Sequence, residues 1–278
     1  GDAAATQGGP ADRRELQHTS VPFVGDAYEA LRAAGVPRSN IITIVQLRDY
    51  LAVLAKGERR EIDTGIPPSY YKHQREGTEA RCARLLAEGG ADYDSTDVNP
   101  ATVLDVLSGV EPQARRGSGR VVPADGDQTL CFAIYTHGDK HPSVQGGDPA
   151  DPLANEWFAH FPYKSAKEDI YDFVAFEPER TGGALGPKHT RLYSTQLHQV
   201  FHTVFQRTPN RPIIGLLNYC TSGGALHFMR REAVRRSFGT DHWPLFLAAS
   251  SQAGTDALVG GLWRAWFGEL STCLEGQG

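Results

Sequence analysis

Cys220 and His137 are the two side chains of this sequence best suited to covalent chemistry, and they occur in matching local settings. The segments Tyr135-Thr136-His137-Gly138-Asp139 and Asn218-Tyr219-Cys220-Thr221-Ser222-Gly223-Gly224 each follow an apolar run and pass into small residues. A thiol attacks as the thiolate, and a helix starting just after it lowers its pKa by supplying partial positive charge. An imidazole titrates near neutral pH, so His137 would take up the thiol proton or return one to a leaving amine. The small residues after Cys220 permit a sharp turn that leaves backbone N–H groups open. The Cys220 N–H, with a second donor at Gly138, would then hold a tetrahedral oxyanion. The chemistry expected of this set is that of a cysteine hydrolase.

Other groups invite weaker readings. His198 and His202 lie four residues apart on a predicted helix, a spacing that suits zinc, but Gln199 stands where a zinc protease carries its glutamate. No metal is therefore expected. His137 and His141 share that spacing, yet Gly138 and Pro142 disfavour a helix between them. Arg230, Arg231, Arg235 and Arg236 read as a solvated face, and Trp263, Trp266 and Phe267 as core.

The elements that must position the two groups can be read from periodicity. Residues 129–135 and 212–217 are apolar runs too short for core helices and continuous enough for strands buried on both faces. In a parallel sheet, chemistry collects beyond the carboxyl ends of the strands, where Cys220 and His137 would both sit. Helix and strand signals alternate from residue 25 to 270, which predicts one α/β domain. A helix over 26–34, capped by Asp26 and ended by Gly35-Val36-Pro37, leads to a strand over 40–45. Asn99-Pro100 reads as a cap and first helical residue before a helix over 101–107. Helices are expected over 194–206, 225–236 and 258–270, with a strand over 244–250 between the last two. Residues 56–90 and 141–188 read as surface excursions. A right-handed crossover into the strand at residue 40 requires a parallel strand before the first helix, but residues 1–17 hold no apolar run. That strand is expected to lie outside this sequence.

Composition sets the outer bounds. The chain has 278 residues, 40% of them hydrophobic and 22% charged, enough to bury a sizeable core. A net charge of −5 offers nothing to a phosphate backbone, so nucleic acid is not an expected partner. No apolar stretch is long enough to span a bilayer, and the first residues lack signal-peptide character. Either the protein is cytosolic or a targeting segment has been removed. Four scattered cysteines (Cys82, Cys131, Cys220, Cys273) form neither a disulfide framework nor a zinc pattern.

Six segments in order carry a family resemblance: residues 25–42, residues 92–109, Gly117-Ser118-Gly119-Arg120-Val121, the strand ending at His137-Gly138, the strand ending at Cys220-Thr221-Ser222-Gly223, and residues 260–267. Over residues 18–270 the chain resembles the catalytic domain of the legumain and GPI-transamidase group of cysteine peptidases. The resemblance implies a caspase-like three-layer α/β sandwich, a mostly parallel central sheet with helices on both faces. It implies a Cys220–His137 dyad with Gly138 beside the histidine, a peptide or protein substrate, no cofactor, and a vacuolar, lysosomal or other lumenal compartment. Cysteine endopeptidase and transamidase activities both occur in that family.

The resemblance also places substrate-binding positions at His18, Asn218, Ser250 and Leu262. Legumains carry charged groups at three places where this chain has Gln17-His18, Asn218 and Leu262, so a specificity unlike legumain's is expected, because buried polar contacts carry such discrimination. Thr136 replaces an aspartate before the histidine, and residues 140–170 read as an insertion. The alternative expectation is an inactive relative serving as a structural or interaction subunit of a larger assembly.

Overall fold

The computed structural model describes residues 20–58, 67–110, 112, 120–126, 128–136, 138–140, 157–160, 163–164, 171–172, 191–230, 244–252 and 265–267. Its centre is a parallel sheet of three strands, β1 (Leu130–Tyr135), β7 (Ile213–Asn218) and β8 (Leu245–Ala249), in the order β1-β7-β8. Leu130 pairs with Ile213 and Tyr135 with Asn218, while Ile213 pairs with Leu245 and Leu217 with Ala249. Strand periodicity then divides the side chains between two faces. Leu130, Ile134, Ile213 and Leu217 enter the largest core cluster, where they meet helices α5 (Pro100–Ser108), α6 (Ser194–Arg207) and α7 (Gly223–Met229) through Val103, Val106, Leu197, Phe201, Val204 and Phe228. On the opposite face, Leu216 packs with Phe23, Ala27 and Ala30 of α1 (Ser20–Ala33) and with Phe267. Helices therefore cover both faces of a parallel sheet, giving the α/β sandwich of caspase type.

Helix α1 is buried on two sides. Phe23, Ala27 and Ala30 fall on one side of a 3.6-residue repeat and face the sheet; Val21 and Tyr28 fall opposite and enter a second core. That second core is built by α2 (Leu47–Gly57), α3 (Pro68–Arg81) and α4 (Ala83–Ala87), through Tyr50, Leu54, Tyr71, Cys82 and Leu85. The described part of residues 56–90 is thus no surface excursion. Pro68 starts α3 at a position where its missing N–H is harmless, and Tyr71, Thr78, Cys82 and Leu85 follow as a buried stripe beneath the charged face that suggested a loop.

Asp26 is also corrected. Helix α1 starts at Ser20, so Asp26 lies within it, and its carboxylate receives the Arg81 guanidinium, with Nε donating at 2.8 Å, in place of a backbone N–H. The end of α1 is as expected. Gly35, at φ 78°, donates to Arg32 O and Val36 donates to Leu31 O, the paired bonds of a Schellman motif.

The strand expected over 40–45 reduces to one parallel bridge, Ile44 to Tyr93. Arg38–Asn40 forms a 3-10 turn, and the following segment is held by side chains. Asp92, with its side chain 2% exposed, accepts from Arg38 through both carboxylate oxygens, from Arg120, and from the Thr43 N–H and hydroxyl.

A second, antiparallel sheet joins β2 (Gly138–Lys140), β3 (Trp157–His160) and β6 (Arg191–Tyr193). Ala159 and Leu192 within it are fully buried in the main core, so part of the 141–188 excursion is structural. Strands β4 (Tyr163–Lys164) and β5 (Tyr171–Asp172) pair with each other. No described helix is long and apolar enough to cross a membrane.

Candidate active site

Register brings the two chemical segments together. Tyr135 and Asn218 are paired neighbours at the carboxyl ends of β1 and β7, and His137 and Cys220 each follow two residues later. His137 itself lies outside the described residues, but the chain is fixed on both sides of it. Thr136 N–H donates to Asn218 O at 3.3 Å. Gly138 lies so close to the nucleophile segment that a Cβ there would collide with the Tyr219 ring and the Cys220 carbonyl. Only glycine admits that approach, which is why the residue after the histidine is small. Gly138 also opens β2, where it pairs with Ala159.

The turn carrying Cys220 has an unusual backbone. Ser222 N–H donates to Tyr219 O at 3.2 Å, closing a four-residue turn, and Thr221 at its third position has φ 62°. Glycine or asparagine ordinarily takes that place; a β-branched residue there is strained by about 1–3 kcal/mol. Helix α7 starts at Gly223, immediately after the turn. Tyr219 is 1% exposed and packs in the main core, and burial pushes its phenol above the ordinary range.

Ser251, just beyond β8, closes over this turn. Its hydroxyl donates to Tyr219 O at 3.1 Å, accepts from Ser222 N–H at 3.0 Å, and lies 3.2 Å from the Ser222 hydroxyl. Its carbonyl accepts from Gly223 N–H at 2.9 Å. Sequence reasoning passed over both Ser251 and Thr221. A serine pair after a strand is no distinctive signal, and a threonine carries no mark of positive φ.

Three polar atoms around the turn are buried and find no hydrogen-bond partner among the described residues: Asn218 Oδ1, Thr221 Oγ1 and Ser250 Oγ. Asn218 ends β7 and Ser250 follows β8, one position beyond the Leu217–Ala249 pair, with Ser250 N–H donating to Leu217 O at 3.0 Å. The two expected substrate-binding residues are therefore neighbours across the strand ends. A buried polar atom left unpaired costs about 1–3 kcal/mol. Beside them, Tyr135 stacks on Phe23 of α1 with ring centroids 4.6 Å apart. His18 and Leu262 lie outside the described residues.

The thiols differ sharply in setting. Cys220 is partly exposed, Cys131 is exposed on β1, and Cys82 is buried between helices, where burial pushes its thiol up to about 11. His198 and His202 have ring centroids 6.2 Å apart on α6, and Phe228 meets His198 edge-on. Burial, then the neighbouring His202, lowers the His198 pKa. Among the described residues, no group of three or more His, Cys, Asp or Glu side chains gathers as a metal site. Arg231, Arg235, Arg236 and Trp263 lie outside the described residues. In comparisons with known proteins, no family model matches the chain and no curated protein matches it.

Proposed function

We propose that this protein is a cysteine endopeptidase or transamidase acting on peptide bonds through Cys220 and His137. The observation that carries the reading is the Tyr135–Asn218 pairing, which sets the thiol and imidazole segments side by side at adjacent strand ends. His137 takes the Cys220 proton, and the thiolate attacks a peptide carbonyl carbon. The resulting tetrahedral oxyanion is held by backbone N–H groups, with Cys220 and Gly138 as the donors. Collapse expels the amine, protonated by His137, and leaves a thioester on Cys220. Water then yields an acid, or a second amine yields a new amide, with the thiol released in either case.

The specificity follows from neutral groups. Asn218 Oδ1 and Ser250 Oγ are buried polar atoms without formal charge, adjacent at the strand ends. Asn218 stands where legumains carry a charged group, so in this reading the specificity differs from legumain's, and a lysine or glutamate there would bury a charge without a counter-ion among the described residues. His18 and Leu262 complete the set of substrate-binding residues in this reading.

A peptidyl electrophile directed at thiols tests the function. Cys220 is expected to label faster than Cys131 and to keep reacting at lower pH, an advantage that is lost in His137→Ala, where its pH profile becomes that of an ordinary thiol, while Cys82 remains unlabelled until the protein is unfolded. Labelling of Cys220 no faster than Cys131, unchanged in His137→Ala, defeats the catalytic reading and leaves the inactive subunit as the alternative.

A further inference from the structure

The Cys220 turn is strained at Thr221, and beyond its own backbone bond from Ser222 N–H to Tyr219 O it is held by polar groups at another strand's end. Hydrogen-bond accounting at Ser251 is closed. A serine hydroxyl has one donor and accepts twice. Ser251 Oγ donates to Tyr219 O, so the Ser222 hydroxyl must be the donor in the pair between the two side chains; with the Ser222 N–H this fills both acceptor sites. The Ser251 carbonyl takes Gly223 N–H in addition. Ser251 thus grips the turn at Tyr219, Ser222 and Gly223, on both sides of Cys220 and Thr221. Ser222 makes no side-chain cap to α7, since its own backbone is already helical, at φ −56° and ψ −26°.

We infer that Ser251 is a positioning residue for Cys220. It holds the Tyr219–Ser222 turn in its left-handed conformation at Thr221, and so determines where the thiol stands relative to the chain around His137. The inference rests on Cys220 being the nucleophile. Without the clamp, Thr221 relaxes toward negative φ and carries Cys220 away from its place opposite Gly138. The Ser251 hydroxyl touches no reacting atom in this scheme; it acts through the backbone.

Alkylation of Cys220 by iodoacetamide, followed against pH with Cys131 as internal reference, tests this. Ser251→Ala is expected to slow Cys220 about tenfold to a hundredfold and to shift its pH profile toward that of an ordinary thiol, with Cys131 unchanged. Ser251→Thr, which keeps the hydroxyl, should restore the rate. Adding Thr221→Gly to Ser251→Ala should recover part of it, because glycine adopts positive φ without strain. A Ser251→Ala protein that melts earlier but keeps the wild-type Cys220 rate and pH profile overturns the inference and leaves the peptidase reading standing. Equal rates for Cys220 and Cys131 in the unaltered protein overturn both.

Discussion

Gly138 and Thr221 both belong to the proposed site, with opposite backbone demands. Gly138 supplies close approach, since a methyl group there would meet the Tyr219 ring and the Cys220 carbonyl. Thr221 accepts strain at φ 62° that a glycine would avoid. Strained residues of this kind persist where surrounding contacts over-determine them, and functional sites are where such contacts are usually found. Gly138→Ala is expected to cost about 1–3 kcal/mol, because the obstacle includes backbone and cannot swing aside. Urea unfolding measures that cost, and Cys220 labelling by the peptidyl electrophile should fall in the same variant. A variant as stable and as reactive as the parent would show that the segments around His137 and Cys220 are less closely apposed than described. Thiol, imidazole and small neighbours were all legible from sequence, because they are matters of residue type. The sign of φ at Thr221 was not, because no local preference of threonine favours it.

Helix ends show which local signals are self-sufficient. Asn99 accepts from Thr102 N–H at 3.0 Å with Pro100 at the first helical position, as its sequence predicts. Gly109 at φ 73° closes the same helix with Val110 N–H on Asp105 O. Each of these bonds lies within one turn of its own residue, so no distant partner can redirect it. Asn99→Ala is expected to cost about 1 kcal/mol, read as a lowered urea midpoint without change of slope. Asp26 had an equally plausible cap signal, but a charged partner 55 residues away claimed its carboxylate. A strand is expected over 40–45; Asp92, Arg38 and Arg120 instead hold that segment by side chains around a single bridge. Helix α3 is hidden in the sequence because its exposed face is heavily charged.

At the scale of the whole molecule, the sheet and the α2–α4 layer are joined by α1, and charged groups secure the outer layer. Burial alone would raise the Asp92 carboxyl, but hydrogen bonds from Arg38 and the Thr43 N–H, with the Arg38 and Arg120 charges, bring it below its ordinary 3.8. Glu88 is lowered to about 2, first by hydrogen bonds from Arg32 and then from the Tyr28 hydroxyl. A carboxylate with a depressed folded pKa stabilises the fold above its unfolded value, and that contribution disappears as pH falls through the folded one. Asp94 works in the opposite sense, since burial raises its pKa. The Glu88 and Asp92 contributions are therefore complete above about pH 5 and decline toward pH 2. Urea midpoints measured across that interval should fall with acid, and less steeply in Glu88→Gln. Asp92→Ala is expected to cost about 3 kcal/mol or more, because it leaves two guanidinium groups facing a vacated, buried position.

The sequence by itself determined the short-range features: alternating helix and strand signals, capped helix ends, and two apolar runs that deliver Cys220 and His137 to strand ends. These depend on periodicity and residue type within a few positions. Only the tertiary structure decided that the runs pair in a register aligning Tyr135 with Asn218. It also decided that α1 buries two faces, and that Ser251 clamps a strained turn whose own residues do not specify it. The clamp joins positions 28 residues apart at Gly223 and Ser251 and the register joins positions 83 apart at Tyr135 and Asn218, and a contact at such separations leaves no trace in local sequence until the chain has closed on itself.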